Sequence, residues 1–252
     1  MDAEYRRQAD SIRTALGMRE QAKRLIGQRA TVRLRSLMRG YERPRWGNLR
    51  RTVPFSATYG FERGTPIDRY YLHAFLAKQQ RLITGHVLEV QTDSYTQRFG
   101  RGIRRADTFD IVPSPDVTYV CDFAHCETAI PESAYDCLLL PNTLPHFREL
   151  EPALSNAMRV VRPGGTILAS AAGLLPLTGD VPEYWRLSPD GWRERLSAVW
   201  PGASLEVAGH GNCLVAMAAQ LGLALEELAR AELDAHDPRF PVLTTIVCRR
   251  PR

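Results

Sequence analysis

The run His86-Val-Leu-Glu-Val90 constrains this chain more than any other stretch. Val87, Leu88 and Val90 form a short apolar segment broken only by Glu89, and a polar loop with Gln91, Thr92 and Asp93 follows at once. Such a run reads as a strand buried on both faces, and strands of that kind belong to parallel sheets covered by helices. In an open α/β sheet the loop leaving the carboxyl end of a strand is the usual seat of a nucleotide-like ligand.

The residues that follow repeat the pattern. Arg101–Asp110 reads as a loop and a short strand ending in acid, and Val117–Phe123 as a strand-like segment that runs into Asp122. Tyr135-Asp-Cys-Leu-Leu-Leu-Pro141 is the clearest buried strand. A helix over 147–162 follows, with Leu150, Leu154 and Met158 on one face, and Arg162-Pro-Gly-Gly165 stops it. Thr166–Ser170 is a further strand, and Val242–Cys248 a final one, expected as an antiparallel edge. The alternation predicts an α/β fold with a doubly wound, mostly parallel sheet.

Before the first strand, Ile67, Tyr71 and Phe75 with Leu72 and Leu76 give a helical core stripe, with Thr65 as cap and Pro66 in the first turn. Asp68 and Arg69 are neighbours on that helix and are not expected to face one another. Trp192, Leu196 and Trp200 recur every four residues as core. Leu205 onward reads as the late strands, with His210-Gly-Asn212 as the turn between them, and residues 223–234 as one helix.

Charge is unevenly placed. Residues 1–52 hold 14 Lys or Arg and 5 Asp or Glu, hence 14 − 5 = +9, so the remainder carries 5 − 9 = −4. Residues 1–64 are expected as a basic helical extension and covering loop, and 65–252 as the α/β domain. The arm lacks interleaved aromatics for base stacking, which argues against nucleic acid. Its helices are the surface expected to carry any homo-oligomer. No apolar run approaches a membrane span, and the start of the chain lacks a signal-peptide core, so a cytoplasmic protein is expected. Five cysteines without a zinc spacing predict reduced core thiols and no metal site.

Several stretches together resemble class I S-adenosyl-L-methionine-dependent methyltransferases, a Rossmann-like fold, from about Pro66 to Val247. They are Gly64-Thr-Pro-Ile-Asp-Arg-Tyr-Tyr71, Tyr95-Thr-x-x-Phe-Gly100, Tyr135-Asp-Cys-Leu-Leu-Leu140, Arg162-Pro-Gly-Gly165 and Glu232-Leu-Asp-Ala-His-Asp-Pro238. The chain looks most like bacterial methyltransferase-domain proteins of saccharide or natural-product pathways. The resemblance implies S-adenosyl-L-methionine as cofactor and S-adenosyl-L-homocysteine as product; the acceptor is expected to be a small glycosylated or natural-product molecule methylated on oxygen, with nitrogen as the alternative. It assigns Glu89 to ordering the cofactor loop, and Gln91, Asp93 and Tyr95 to wrapping the cofactor. Asp107, with Asp110 as the alternative, would take the ribose hydroxyls. Asp122 and Phe123 would face adenine, and Pro141 and Asn142 would lie near the transferred methyl.

One departure stands out. The loop normally carries Gly just after the strand acid, and here no Gly precedes Gly100. Gln91 therefore brings a side chain toward the cofactor. Candidate bases for a hydroxyl acceptor are His146, best placed after the central strand, with Asp68 and Tyr70 behind it. Arg69, Tyr184, Trp185, Arg186 and His210 are candidate acceptor contacts, Trp185 equally readable as a packing anchor. A methyltransferase fold put to elimination, epimerisation or cyclisation is the rival reading that Gln91 favours. A binding or scaffold subunit is a further one.

Overall fold

The computed structural model describes Ala30, residues 45–177, Gly179 and residues 181–252. The helices expected over 4–39, and any oligomer contact through them, fall outside these residues, Ala30 apart. The chain divides into two units, Met1–Thr52 and Val53–Arg252. In the first, the described residues carry one 3-10 turn, Gly47–Leu49.

The second unit runs α1 (Asp68–Lys78), β1 (Gly85–Val90), α2 (Ser94–Phe99), β2 (Ile103–Asp110), β3 (Tyr119–Val120), β4 (Tyr135–Leu140), α3 (Leu150–Val160), β5 (Val161–Ala172), α4 (Pro189–Val199), β6 (Ser204–His210), α5 (Cys213–Gln220), α6 (Arg230–Asp234) and β7 (Leu243–Arg249). The seven strands form one sheet in the order β3-β2-β1-β4-β5-β7-β6. β1 pairs in parallel with β2 and β4, β2 with β3, and β4 with β5, while β7 runs antiparallel to both neighbours. The doubly wound sheet expected from the apolar runs is therefore present.

Alternation along the central strands splits the core in two. Leu88, Leu138 and Leu140 face Leu150, Leu154, Trp192 and Leu196 of α3 and α4. Val87, Cys137 and Leu139 face Leu72, Phe75 and Leu76 of α1 together with Val215 and Ala219 of α5. Each such aliphatic side chain stabilises by about 1.5–3 kcal/mol on burial, so β4, buried along its whole length, anchors both layers.

Four local expectations differ. β7 is antiparallel, but it lies between β5 and β6 rather than at the edge, because nearly all of it is buried whereas β6 alternates and tolerates one solvated side. Residues after Asn212 form α5 and not a strand: the Asn212 side chain accepts from the Val215 N–H, and an Ala-rich segment follows. Residues 223–234 break into a 3-10 turn, Leu225–Glu227, and α6. Thr65 does not cap α1; its N–H and hydroxyl both donate to Glu226, tying the strap before α1 to that turn. Among the described residues no helix is long and apolar enough to cross a membrane, and no His, Cys, Asp and Glu cluster could hold a metal ion.

Candidate active site

The carboxyl ends of β1, β2 and β4 open on a cavity of about 640 Å³. Val90, Asp110 and Pro141 reach it from the strand ends, and Cys121 and Asp122 from the residues just after β3. This is the point where strand order reverses, with β2 and β3 on one side of β1 and β4 and β5 on the other.

Glu89 builds the loop at the cavity edge. Its buried carboxylate accepts from the Tyr95 N–H at 3.0 Å, the Thr96 N–H at 2.8 Å and the Thr96 hydroxyl at 2.6 Å, so it caps the first turn of α2 from the strand. Burial pushes its pKa up to about 7, against the pull of the Thr96 and Tyr95 donors. Gln91 follows at φ 64°, the left-handed region that glycine occupies without strain. The loop thus keeps a glycine-type backbone at Gln91, which lines the cavity. Tyr59 at φ 59° and Asn142 at φ 53° line it as well. Strained backbone concentrates at ligand-facing positions, where the surrounding fold holds it.

The two acids of β2 have separate places. Asp110 lies at the cavity, where Oδ1 accepts from the Val112 N–H at 3.1 Å. Asp107 is buried in the sheet away from it. There it meets His86 Nε2 at 2.9 Å, Arg105 Nε at 2.7 Å and the Tyr135 hydroxyl at 2.9 Å. Burial works to raise the Asp107 pKa, but these three donors outweigh it and hold the carboxyl below its ordinary value. Asp107, the acid expected at the ribose, does not line this cavity, whereas the alternative, Asp110, does. Asp122 lines the cavity while its carboxylate accepts from the Ala124 N–H at 2.9 Å. Phe123 beside it is stacked between Phe109, at 4.4 Å, and Phe147, at 5.6 Å.

On the other side of the cavity, Asp68 accepts from Asn142 Nδ2 at 2.7 Å, and Asn142 Oδ1 accepts from the Ser170 hydroxyl at 3.0 Å. Arg69 folds back to pair with Asp68 at 2.6 Å, contrary to the expectation for adjacent helical residues. The pair sits in the first turn of α1, where a long side chain can curl past the helix end. His146 ends the 3-10 turn Leu144–His146 and lines the cavity. Its Nδ1 lies 3.0 Å from the Pro182 carbonyl. A carbonyl only accepts, so Nδ1 carries a proton, and in the neutral ring the lone pair falls on Nε2. Among the described residues, Nε2 has no protein partner.

The remaining candidates divide. Tyr184 lines the cavity. Trp185 packs against the core, with Nε1 donating to the Phe147 carbonyl at 2.7 Å, so it anchors rather than lines. Arg186 donates to the carbonyls of Gly173, Leu175 and Pro176 and pairs with Glu183, which fixes the loop 173–186 instead of meeting an acceptor. Tyr70 points to Asp234, with Arg230 over its ring, and His210 bonds the Thr245 hydroxyl at 2.7 Å and stacks on Tyr71; neither reaches the cavity. Asp93 accepts from Gln97, and Tyr95 lines a second, smaller cleft. Sequence reading missed Tyr59, Phe61, Thr143, Phe147, Val181 and Glu183. All come from loops without periodicity, and only the covering-loop aromatics Tyr59 and Phe61 gave a signal, as a cap over a site.

Comparison with known proteins agrees with this geometry. Residues 81–169 match the methyltransferase-domain family. This is the class I methyltransferase fold. A structure from Listeria monocytogenes, described as an S-adenosylmethionine-dependent methyltransferase, shares the fold at 12% identity and TM-score 0.52, over 74% of this chain and 99% of its own. An S-adenosylmethionine-dependent methyltransferase from Mesorhizobium loti is similar at 14% identity and TM-score 0.50, over 73% of this chain and 100% of its own. The [4+2]-cyclase SpnF is similar at 16% identity and TM-score 0.51, over 75% of this chain and 83% of its own. No curated protein matches the chain. At these identities the likeness carries the class I methyltransferase fold alone. The residues present fit an adenosyl cofactor on two counts: the left-handed backbone at Gln91 leaves room for close approach, and the carboxylates of Asp110 and Asp122, at the end of β2 and after β3, line one cavity and can accept from hydroxyl and amine groups.

Proposed function

We propose that the chain is an S-adenosyl-L-methionine-dependent methyltransferase acting on a hydroxyl, less readily an amine, of a small glycosylated or natural-product acceptor. The observation that carries this reading is the shared cavity: Asp110 and Asp122 line it together with His146, whose Nε2 lone pair is available. Asp110 would accept from the ribose hydroxyls, Asp122 and Phe123 would bound the adenine edge, and Gln91 with Asn142 would flank the methionine end. When bound, the cofactor supplies an activated methyl group. The protein's part is to align the acceptor, exclude water and take a proton. His146 Nε2 takes it from the acceptor hydroxyl, and the Pro182 carbonyl holds the ring for that role. Phe61, Tyr184 and the loop 173–186 cover the site.

A second reading keeps the cofactor cavity but not methyl transfer, and the Gln91 side chain at the cavity is the observation that favours it. SpnF, a cyclase by its title, shares the fold. Titration calorimetry with S-adenosyl-L-methionine and S-adenosyl-L-homocysteine tests both. Binding of each, weakened at least about tenfold in Asp110→Ala by loss of a charge-assisted hydrogen bond, is expected. Absence of binding would remove the first reading. Tight binding without S-adenosyl-L-homocysteine formed from any acceptor would favour the second.

A further inference from the structure

A second cleft, of about 390 Å³, lies between α1 and α2 and is lined by Thr65, Arg69 and His73 on one side and Ser94, Tyr95 and Arg98 on the other, with Phe61 at the boundary. Arg69, Phe61 and Pro66 also line the main cavity, so the two share a wall. The helix spacing explains the grouping: Arg69 and His73 are four apart on α1, and Ser94 and Arg98 four apart on α2.

The charge here is lopsided. Among the described residues Arg98 pairs with no carboxylate. Its guanidinium donates to His73 Nε2 at 3.4 Å and lies over the Phe99 ring at 5.1 Å, contacts that orient it without neutralising it. Arg69 shares its charge with Asp68 through one nitrogen, leaving the rest of its fork of donors. The Ser94 hydroxyl accepts from Thr92 at 3.0 Å and so keeps its own proton to donate. His73, held 6.0 Å from Tyr95 and 5.8 Å from Phe99, has its pKa lowered by burial first and then by Arg98 and Arg69. Burial is the largest part of that lowering, the two guanidiniums add to it, and Asp68 acts in the opposite direction.

We propose that this cleft is an anion subsite that seats a phosphate-like oxyanion of the acceptor, so that the molecule methylated at the main cavity is an acidic one. Arg98 and Arg69 bind the oxyanion from two helices, the Ser94 hydroxyl completes the donor set, and the shared wall at Arg69 joins subsite and cavity. The acceptor role rests on the methyltransferase reading above; the anion site itself does not.

The test uses the full chain with phenyl phosphate as probe, followed through the His73 ring resonances by NMR, and S-adenosyl-L-homocysteine by calorimetry. Phenyl phosphate is expected to shift the His73 resonances saturably and to raise the His73 pKa by adding negative charge. Arg98→Gln should weaken the probe about tenfold, the loss of one charge-assisted hydrogen bond, and Arg98→Lys should restore part of it. S-adenosyl-L-homocysteine affinity held in Arg98→Gln would separate the subsite from the cofactor and report an intact fold. Equal loss of both ligands would assign the cleft to the cofactor's own carboxylate and overturn the proposal, as would the absence of any saturable shift in the wild type. Failure of the wild type to bind S-adenosyl-L-homocysteine while phenyl phosphate still binds would remove the methyltransferase reading and leave the anion site standing.

Discussion

Two aspartates three residues apart show what a single residue's place decides. In the β1–β2 register Asp107 pairs with Leu88, in mid-sheet, while Phe109 pairs with Val90, so Asp110 falls just past the end of β1. Register is invisible in one strand's sequence, which is why the acid nearer the middle was preferred and Asp110 was only the alternative. Asp107→Ala is expected to lower stability by about 2–4 kcal/mol by stranding His86 and the Tyr135 hydroxyl, less than a fully buried pair because Arg105 stays solvated. Asp110→Ala should leave the unfolding midpoint within about 0.5 kcal/mol, as surface changes do, while weakening cofactor binding. Denaturant unfolding beside calorimetry separates the two, and a cofactor defect confined to Asp107→Ala would reverse the assignment. Glu89 was legible as a loop organiser through the family resemblance, and its three donors from Tyr95 and Thr96 give that role a physical form. Its altered titration was not, since that depends on how completely the loop covers it. With its pKa raised from 4.5 to about 7, the folded state binds more protons than the unfolded state between those values. Stability therefore falls as pH rises through that window, by roughly 3 kcal/mol in total from the shift. His73 and His210, lowered by burial, contribute the opposite slope below their ordinary value. The measurable quantity is thus the wild-type curve minus that of Glu89→Gln between pH 5 and 7, expected to slope downward; a flat difference would mean the carboxylate is ionised throughout.

At the scale of elements, order and type were readable wherever apolar periodicity was strong: β1, β4, α3 and α4 lie within a few residues of their sequence readings. Loops were not, because their conformation depends on distant carbonyls. Arg186 is the clearest case. An aromatic pair beside a cation suggested an acceptor contact, yet the guanidinium is occupied by three backbone carbonyls 10–13 residues upstream and by Glu183. It therefore acts as the clasp of the loop that carries Pro182, the acceptor of the His146 Nδ1 proton. Arg186→Ala should cost about 1–3 kcal/mol through carbonyls left without donors. It should also raise the rate of proteolytic cleavage within 174–183, because freeing one loop lowers local opening energy before global stability. Arg186→Lys should recover little, since a single ammonium cannot reproduce the planar fork. Unchanged proteolysis in both variants would show that Trp185 and Tyr184, bonded to Phe147 and Pro145, hold the loop by themselves.

At the scale of the whole molecule, the basic character and the α/β core belong to different parts of the chain. Among the described residues, every one lining the main cavity and the anion cleft lies within Val53–Arg252. That unit contains both layers of the core and all seven strands. A 200-residue α/β unit of this kind buries enough apolar surface to fold by itself. The charge asymmetry was plain in the sequence, since it needs only counting, whereas the place where the compact unit begins depends on contacts such as the Phe55 N–H to the Leu221 carbonyl at 2.7 Å. A protein of residues 53–252 is expected to unfold in one cooperative transition and to bind S-adenosyl-L-homocysteine within about twofold of the full chain, because it keeps every described residue of the cavity lining. Its formal charge changes from +5 to 5 − 9 = −4, so at neutral pH it should pass from cation- to anion-exchange retention. Calorimetric unfolding, ligand titration and ion exchange measure the three outcomes on one preparation. Loss of cooperativity with the expected charge reversal would show that residues 1–52 complete the core rather than extend it. Cooperative folding with lost ligand affinity would bring the basic arm to the cavity, and the acidic acceptor would then have a second source of counter-charge.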